Sequence, residues 1–184
     1  EERRVRIARE TMDIYAPLAG RLGMSKVKNE LEDFSFQYLE PAAYKDLSER
    51  VEQKRQRATP FVDKLNALVT EKLTAAGIES RVEGRIKRLH SIFQKLRRQR
   101  IDLDQVYDFV AVRILVASIP DCYAALGVLH NTWRPVPGRI KDFIAMPRPN
   151  GYQSLHTSVI DDEGRPFEVQ IRTEEMHRVA EEGI

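Results

Sequence analysis

Asp108-Phe109-Val110-Ala111-Val112-Arg113-Ile114-Leu115-Val116 is apolar on both alternations, the pattern of a strand covered on both faces. Working outward, residues 78–83 (Ile-Glu-Ser-Arg-Val-Glu) read as an earlier strand that Gly84 ends, and residues 86–98 carry helical spacing. Downstream, the spacing predicts a helix over 120–133 and strands over 141–146, 155–160 and 166–172. A closing helix begins at Glu174. Helices and strands that alternate around a buried strand define an α+β fold with a mixed sheet. Upstream the period is helical throughout: Ile7, Tyr15, Leu18 and Leu22, then Leu31, Phe34, Tyr38 and Leu39. Three helices are expected there. Gly23-Met24-Ser25 forms a break at which Ser25 caps the next helix, Pro41 restarts the chain, and Thr59-Pro60 divides or kinks the third helix.

The 184 residues, 42% hydrophobic and 32% charged, suffice for one sizeable core and a small helical unit. A net charge of +2 conceals a local excess: Arg85, Lys87, Arg88, Lys95, Arg97, Arg98 and Arg100 follow one another with no acid between them. Cys122 stands alone in an apolar helical stretch, which excludes an internal disulfide and makes it a small hydrophobe. No apolar run approaches the ~20 residues of a membrane span, and Glu1-Glu2-Arg3-Arg4 is no signal peptide. A cytoplasmic protein with no membrane partner is therefore expected. The beginning at Glu1 and the end at Ile184 lead us to expect a piece of a longer polypeptide.

In the segment 86–98, Leu89, Ile92, Phe93 and Leu96 form one stripe, while Lys87, Ser91 and Lys95 fall at four-residue steps on the other side. A solvated surface helix shows such a division too, but it normally interleaves acids with its bases. An anion-binding face, for the phosphates of a nucleotide or of RNA, fits better. In the last strand Phe167, Val169 and Ile171 alternate with Glu168, Gln170 and Arg172. The polar alternation fits a water-facing side or a functional one. If Asp108 and Glu168 lie on neighbouring strands, the two carboxylates could share a hard cation such as Mg²⁺. The loop from Pro137 to Ser154 gathers Arg139, Lys141 and Arg148 around Asn150-Gly151-Tyr152, so that Tyr152 either packs on the core or offers a ring for a base to stack on. His156 shares a strand face with Ser154 and Ser158, and is either a structural hydrogen-bonded histidine or a ligand contact. No Walker P-loop or His-Glu-x-x-His motif is present. The residues alone reach a magnesium-dependent nucleotide or phosphoryl-transfer domain.

Taken together, Gly84-Arg85-Ile86-Lys87 with Ser91 and Lys95, then Tyr107-Asp108-Phe109-Val110-Ala111-Val112-Arg113, Pro137-Gly138-Arg139-Ile140-Lys141-Asp142, Asn150-Gly151-Tyr152-Gln153-Ser154-Leu155-His156-Thr157 and Glu168-Val169-Gln170-Ile171-Arg172-Thr173 resemble the successive motifs of RelA/SpoT-family (p)ppGpp synthetases. Ile14-Tyr15-Ala16-Pro17-Leu18-Ala19 and Leu31-Glu32-Asp33 resemble the helices that link that family's hydrolase domain to its synthetase. The resemblance implies a linking segment over 1–75 and a nucleotidyltransferase-like domain over 76–184, similar to the DNA polymerase beta palm. It further implies a pyrophosphokinase that moves pyrophosphate from ATP to the 3′-hydroxyl of GDP or GTP in the stringent response. By carry-over, Arg85, Lys87, Ser91, Lys95, Arg113 and Arg139 hold ATP; Asp108 and Glu168 bind Mg²⁺, and Glu168 is the base. Tyr152 stacks on guanine, with Lys141, Arg148, Asn150, Gln153 and His156 around it. Arg148 stands where many members carry lysine, and the form Arg139-Ile140-Lys141-Asp142 resembles bifunctional members, a hint of GDP preference. The family's hydrolase His-Asp pair is absent, and a ribosome or RNA would be reached only through missing C-terminal domains. Two other readings stay open: an RNA-binding module, and a catalytically silent nucleotide-binding fragment.

Overall fold

The computed structural model describes residues 1–106 and 109–183. Helices α1 (Glu2–Glu10) and α2 (Ala16–Arg21) are joined through a wide π-type turn, Thr11–Tyr15, in which Ala16 N–H donates to Thr11 O. Pro17 accounts for that turn. It has no N–H to give the Asp13 carbonyl and its ring crowds that carbonyl, and an extra residue in the turn relieves both. Gly23, at φ +75°, reverses the chain into α3 (Ser25–Leu39). Ser25 is the first helical residue rather than a side-chain cap, since Met24 holds the cap position. Pro41 opens α4 (Pro41–Ala75), which runs through Pro60 undivided.

The apolar stripe that marks these first helices faces outward. Ile7, Tyr15, Leu18, Leu22, Phe34 and Tyr38 are all exposed, while Ala8, Ala16, Ala19 and Phe36 are buried. Small residues let α1–α3 approach one another closely, and the large ones are left on the surface.

The strands are β1 (Ser80–Ile86), β2 (Val110–Val116), β3 (Arg134–Pro135), β4 (Lys141–Asp142), β5 (Leu155–Ile160) and β6 (Pro166–Thr173), and the remaining helices are α5 (Leu89–Gln99), α6 (Ile119–Thr132) and α7 (Glu174–Glu182). The sheet order is β1-β2-β6-β5-β3, with β4 on β5. β2 and β6 run parallel and the other pairs antiparallel, so the sheet is mixed as expected. On one face, Leu65, Val69 and Leu73 of α4 and Cys122, Ala125 and Leu129 of α6 cover Val112, Ile114, Val169 and Ile171. Each of the valine, leucine and isoleucine side chains stabilises the fold by about 1.5–3 kcal/mol. A second cluster, with Phe36, Leu47, Ile92 and Phe109 at its heart, ties α3, α4 and α5 together.

Three expectations are corrected. Gly84 does not end the first strand but lies within β1, because α4 crosses it: an added Cβ would stand 2.2 Å from Val62 Cγ1 and 2.9 Å from Asn66 Nδ2. The strand therefore continues to Ile86, α5 begins only at Leu89, and Lys87 sits on the connection rather than on the helix. The strand expected over 141–146 stops at Asp142, whose carboxylate accepts from the Ile144 and Ala145 N–H groups at 2.9 and 2.8 Å and bends the chain.

Candidate functional site

The site lies on the sheet face opposite α4 and α6, where register decides which side chains are neighbours. Ala111 pairs with Arg85 on one side and Glu168 on the other, and Glu168 with Ser158. One pair further along, Glu83, Arg113, Gln170, His156 and Lys141 follow across five strands. Side chains in one such row share a face, so the alternation seen in β6 reaches the neighbouring strands as a polar surface.

At the first row a cleft of about 540 Å³ opens beneath α5. Arg85, Lys87, Ser91, Lys95 and Arg139 line it, and Ala111 and Glu168 complete it from the sheet. Arg88, Gln94, Arg98, Gln99 and Gln170 add to the lining. A side groove of about 450 Å³ continues past Lys95, Arg139 and Glu168 to Ile101, Val136 and Phe167, giving the cationic cleft an apolar flank. Glu168 is the one carboxylate among the described residues that line the cleft. Its Oε1 accepts from Gln170 Nε2 at 3.0 Å, and Lys87 Nζ lies 3.7 Å from Oε2.

A second cleft of about 540 Å³ lies beyond β5, between the loop that carries Arg148, Pro149, Asn150 and Tyr152 and the N-terminal residues Pro17, Gly20, Arg21, Ser25 and Lys28. The loop is tightly tied. Gly151 N–H donates to Arg148 O, Arg148 N–H to Tyr152 O, and Tyr152 N–H to Asn150 Oδ1. Asn150 Nδ2 reaches across to Gly20 O at 3.1 Å. The Arg148 guanidinium stacks over Phe143, 4.4 Å from its centroid, and stands 5.5 Å from that of Tyr152.

His156 joins the two clefts. Its Nε2 is 2.7 Å from the Tyr152 hydroxyl and its Nδ1 is 3.8 Å from Glu168 Oε1. Burial pulls the imidazole down to about 4, assisted by Arg148, Arg172 and Lys141 and opposed by Glu168. The ring is therefore neutral at pH 7; Nε2 accepts from Tyr152, and the Nδ1 hydrogen faces the carboxylate.

Behind this surface two guanidiniums are buried together. Arg113 reaches Glu83 at 3.8 Å and Glu181 at 3.4 Å; Arg172 Nη2 reaches the same Glu181 oxygen at 3.3 Å and His177 Nδ1 at 2.7 Å. Burial lowers both, Arg113 to about 10 with Arg172 as the second cause, so both stay cationic at neutral pH. Arg172 also stands 5.9 Å from the centroid of the Tyr152 ring.

Of the residues expected from the sequence, Arg85, Lys87, Ser91, Lys95, Arg139 and Glu168 meet in the first cleft, and Arg148, Asn150, Tyr152 and His156 in the second. Arg113 lines neither, being held by Glu83 and Glu181. Gln153 spends its amide on Ile144 O, and Lys141 pairs in register with His156 without lining the cleft. Ser154, expected on the face of His156, is buried, its hydroxyl on Ile171 O. Asp108 lies outside the described residues. Arg21 and Lys28 were not anticipated: they precede the motifs by so much chain that only the tertiary fold brings them in.

The region found in RelA / SpoT proteins matches residues 84–184. The chain is 49% identical over 184 residues to the GTP pyrophosphokinase of Myxococcus xanthus, of which it covers 24%. It is 50% identical over 183 residues to the bifunctional (p)ppGpp synthase/hydrolase RelA of Mycobacterium tuberculosis, of which it covers 25%. It thus spans about a quarter of the length of these relatives. Among solved structures, small alarmone synthetase 1 of Bacillus subtilis, bound to its product pppGpp, superposes with a TM-score of 0.58 at 26% identity over 72% of this chain and 78% of that one. The match covers the residues that line the first cleft and the loop wall of the second, and by it the chain belongs to the RelA/SpoT family.

Proposed function

We propose that this chain transfers pyrophosphate from ATP to the ribose 3′-hydroxyl of GDP or GTP, releasing AMP. The observation that carries the reading is the position of Glu168, which lines the cationic cleft and lies 3.8 Å from the histidine that lines the second one. A donor in the first cleft and an acceptor in the second would meet at this carboxylate.

Arg85, Lys87, Lys95 and Arg139 neutralise and align the ATP polyphosphate in that arrangement, and the apolar groove beside them takes part of the adenosine. The acceptor guanine stacks on Tyr152 with Arg148 beside it. The acceptor 3′-oxygen attacks the β-phosphorus, the bond from that phosphorus to the α–β bridging oxygen breaks, and AMP leaves with both bonding electrons. Glu168 takes the hydroxyl proton. The Lys87 and Gln170 contacts orient the carboxylate, and the Nδ1 hydrogen of His156 faces it.

Mg²⁺ suits this site. Glu168 is an oxygen donor from which the Lys87 ammonium and the His156 ring stand off at 3.7 and 3.8 Å, and no cluster of three or more metal-ligating side chains occurs among the described residues. A cation that keeps waters and phosphate oxygens in its shell needs few protein ligands. Glu168 would hold it, with Asp108 as second donor, and the ion would supply charge neutralisation across the phosphates.

The test is product analysis with ATP and each guanine nucleotide in Mg²⁺. AMP and a guanosine 3′-pyrophosphate in equal amounts are expected; ADP with a singly phosphorylated product, or no product, would refute the reading. Glu168→Gln should lower kcat by about 10²–10⁴-fold, and an unchanged rate would remove Glu168 as the base.

A further inference from the structure

We propose that α2 and α3 are part of the acceptor subsite, with Arg21 and Lys28 binding the 5′-polyphosphate of the nucleotide stacked on Tyr152. This rests on the reading just given and assigns a ligand role to helices that the motifs do not include. The second cleft has two walls, and one of them is wholly N-terminal: Pro17, Gly20, Arg21, Ser25 and Lys28. Its volume of about 540 Å³ is that of a small-molecule site.

Charge indicates which end of the nucleotide faces that wall. Arg21 and Lys28 stand across from Arg148, and no carboxylate among the described residues lines the cleft. These three cations set the charge of the two facing walls. Arg21 has no ion-pair partner among the described residues, and Lys28 has Glu32 at 3.3 Å, an i,i+4 contact to a largely buried carboxylate that occupies one face of the ammonium and leaves its other donors for an anion.

The backbone is shaped for this approach. Gly20 lies under the Lys28 stem, where an added Cβ would stand 3.0 Å from Lys28 Cδ. Gly23, at φ +75°, brings its own backbone against the loop, where an added Cβ would stand 3.1 Å from Asn150 O. Asn150 Nδ2 then donates to Gly20 O. The aromatic platform and the N-terminal cations are thereby held in one register, and a base on Tyr152 directs its phosphates along the wall.

The test is to make Arg21→Ala, Lys28→Ala and the double variant, and to measure KM for GDP, GTP and ATP separately. Each substitution should raise KM for GDP and GTP by about tenfold, with KM for ATP and kcat unchanged and melting unaltered. Lys28→Arg should retain most of the affinity. A folded double variant whose KM for GDP is unchanged, or whose KM for ATP rises equally, overturns the proposal. Should the wild-type chain make no product, the enzymatic reading fails and calorimetric titration with GDP reads the subsite directly. Binding that the double variant weakens supports the assignment; equal binding, or none by the wild type, overturns it.

Discussion

Gly84→Ala is the sharpest probe of how the fold holds the site, because it alters one methyl group at the crossing of α4 and β1. The added Cβ would lie 2.2 Å from Val62 Cγ1 and 2.9 Å from Asn66 Nδ2, well inside contact distance. Val62 is β-branched and stiff about χ1 on its helix, so relief requires the helix or the strand to move. Overpacking of this kind costs about 1–3 kcal/mol. Removing glycine from a strand interior returns roughly 0.5–1 kcal/mol, and because an approach of 2.2 Å belongs to the upper part of the overpacking range, a net loss of about 1–2 kcal/mol remains. For a chain of this size that is a fall in Tm of about 2–8 °C. Gly127→Ala is the matched control: it lies within α6 with no atom within 4 Å of an added Cβ and should stabilise by about 0.5–1 kcal/mol. The assay is thermal unfolding followed by far-UV circular dichroism, with Val62→Ala and the double variant closing a cycle. The clash predicts that Gly84→Ala costs less in the Val62→Ala background. A Gly84→Ala protein that melts at or above the wild type would refute the packing argument.

Three other outcomes follow from the site. His156 in the folded chain sits at about 4, below the ordinary 6.5, so the unfolded chain takes up a proton first as pH falls; stability is complete above pH 6.5 and about 3 kcal/mol is lost by pH 4. Urea titrations from pH 7.5 to 4.5 should show a shallower loss in His156→Gln, and parallel slopes would contradict the burial argument. Glu181→Gln leaves the Arg113 and Arg172 guanidiniums short of a counter-charge and should cost about 2–3 kcal/mol, read as a lower urea midpoint; an unmoved midpoint would show that Glu83 and solvent suffice. Ala111→Leu places its added carbons in the open first cleft, so calorimetry should show ATP binding weakened at least tenfold and GDP binding retained; undiminished ATP affinity would place the donor elsewhere.

Much of this was legible along the chain because strand alternation is a local property. The β6 pattern separated Val169 and Ile171 from Glu168 and Gln170, and the structure buries the first pair in the core and turns the second to the clefts. The acid-free run around Arg85 and Lys95 likewise announced a cationic face. What escaped depends on partners far away in sequence. Gly84 reads as a strand stop until α4 is laid across it. Tyr15 and Leu18 read as a packing stripe until the helices are seen to meet through alanines. Asp142 reads as a strand residue, but its carboxylate reaches forward to two N–H groups and turns the chain. Arg113 carries the charge expected of a phosphate ligand, yet Glu181 arrives on the closing helix and claims it.

The placement of Ala111 shows why so ordinary a sheet yields a cleft at this point. Parallel pairing of β2 with β6 sets Ala111 against Glu168, while antiparallel pairing with β1 sets it against Arg85. A methyl group thus separates a guanidinium from a carboxylate within one row. Longer side chains on both flanks and α5 above leave a hollow over the shortest member, and its rim is positive on one side and acidic on the other. A one-residue slip of β6 would move Glu168 to the face that α4 and α6 cover, burying a carboxylate among Leu65, Val69 and Leu129 at a cost of several kcal/mol. The packing that excludes that slip keeps the carboxylate in the cleft, so the stability of the core and the placement of the proposed base have the same physical origin.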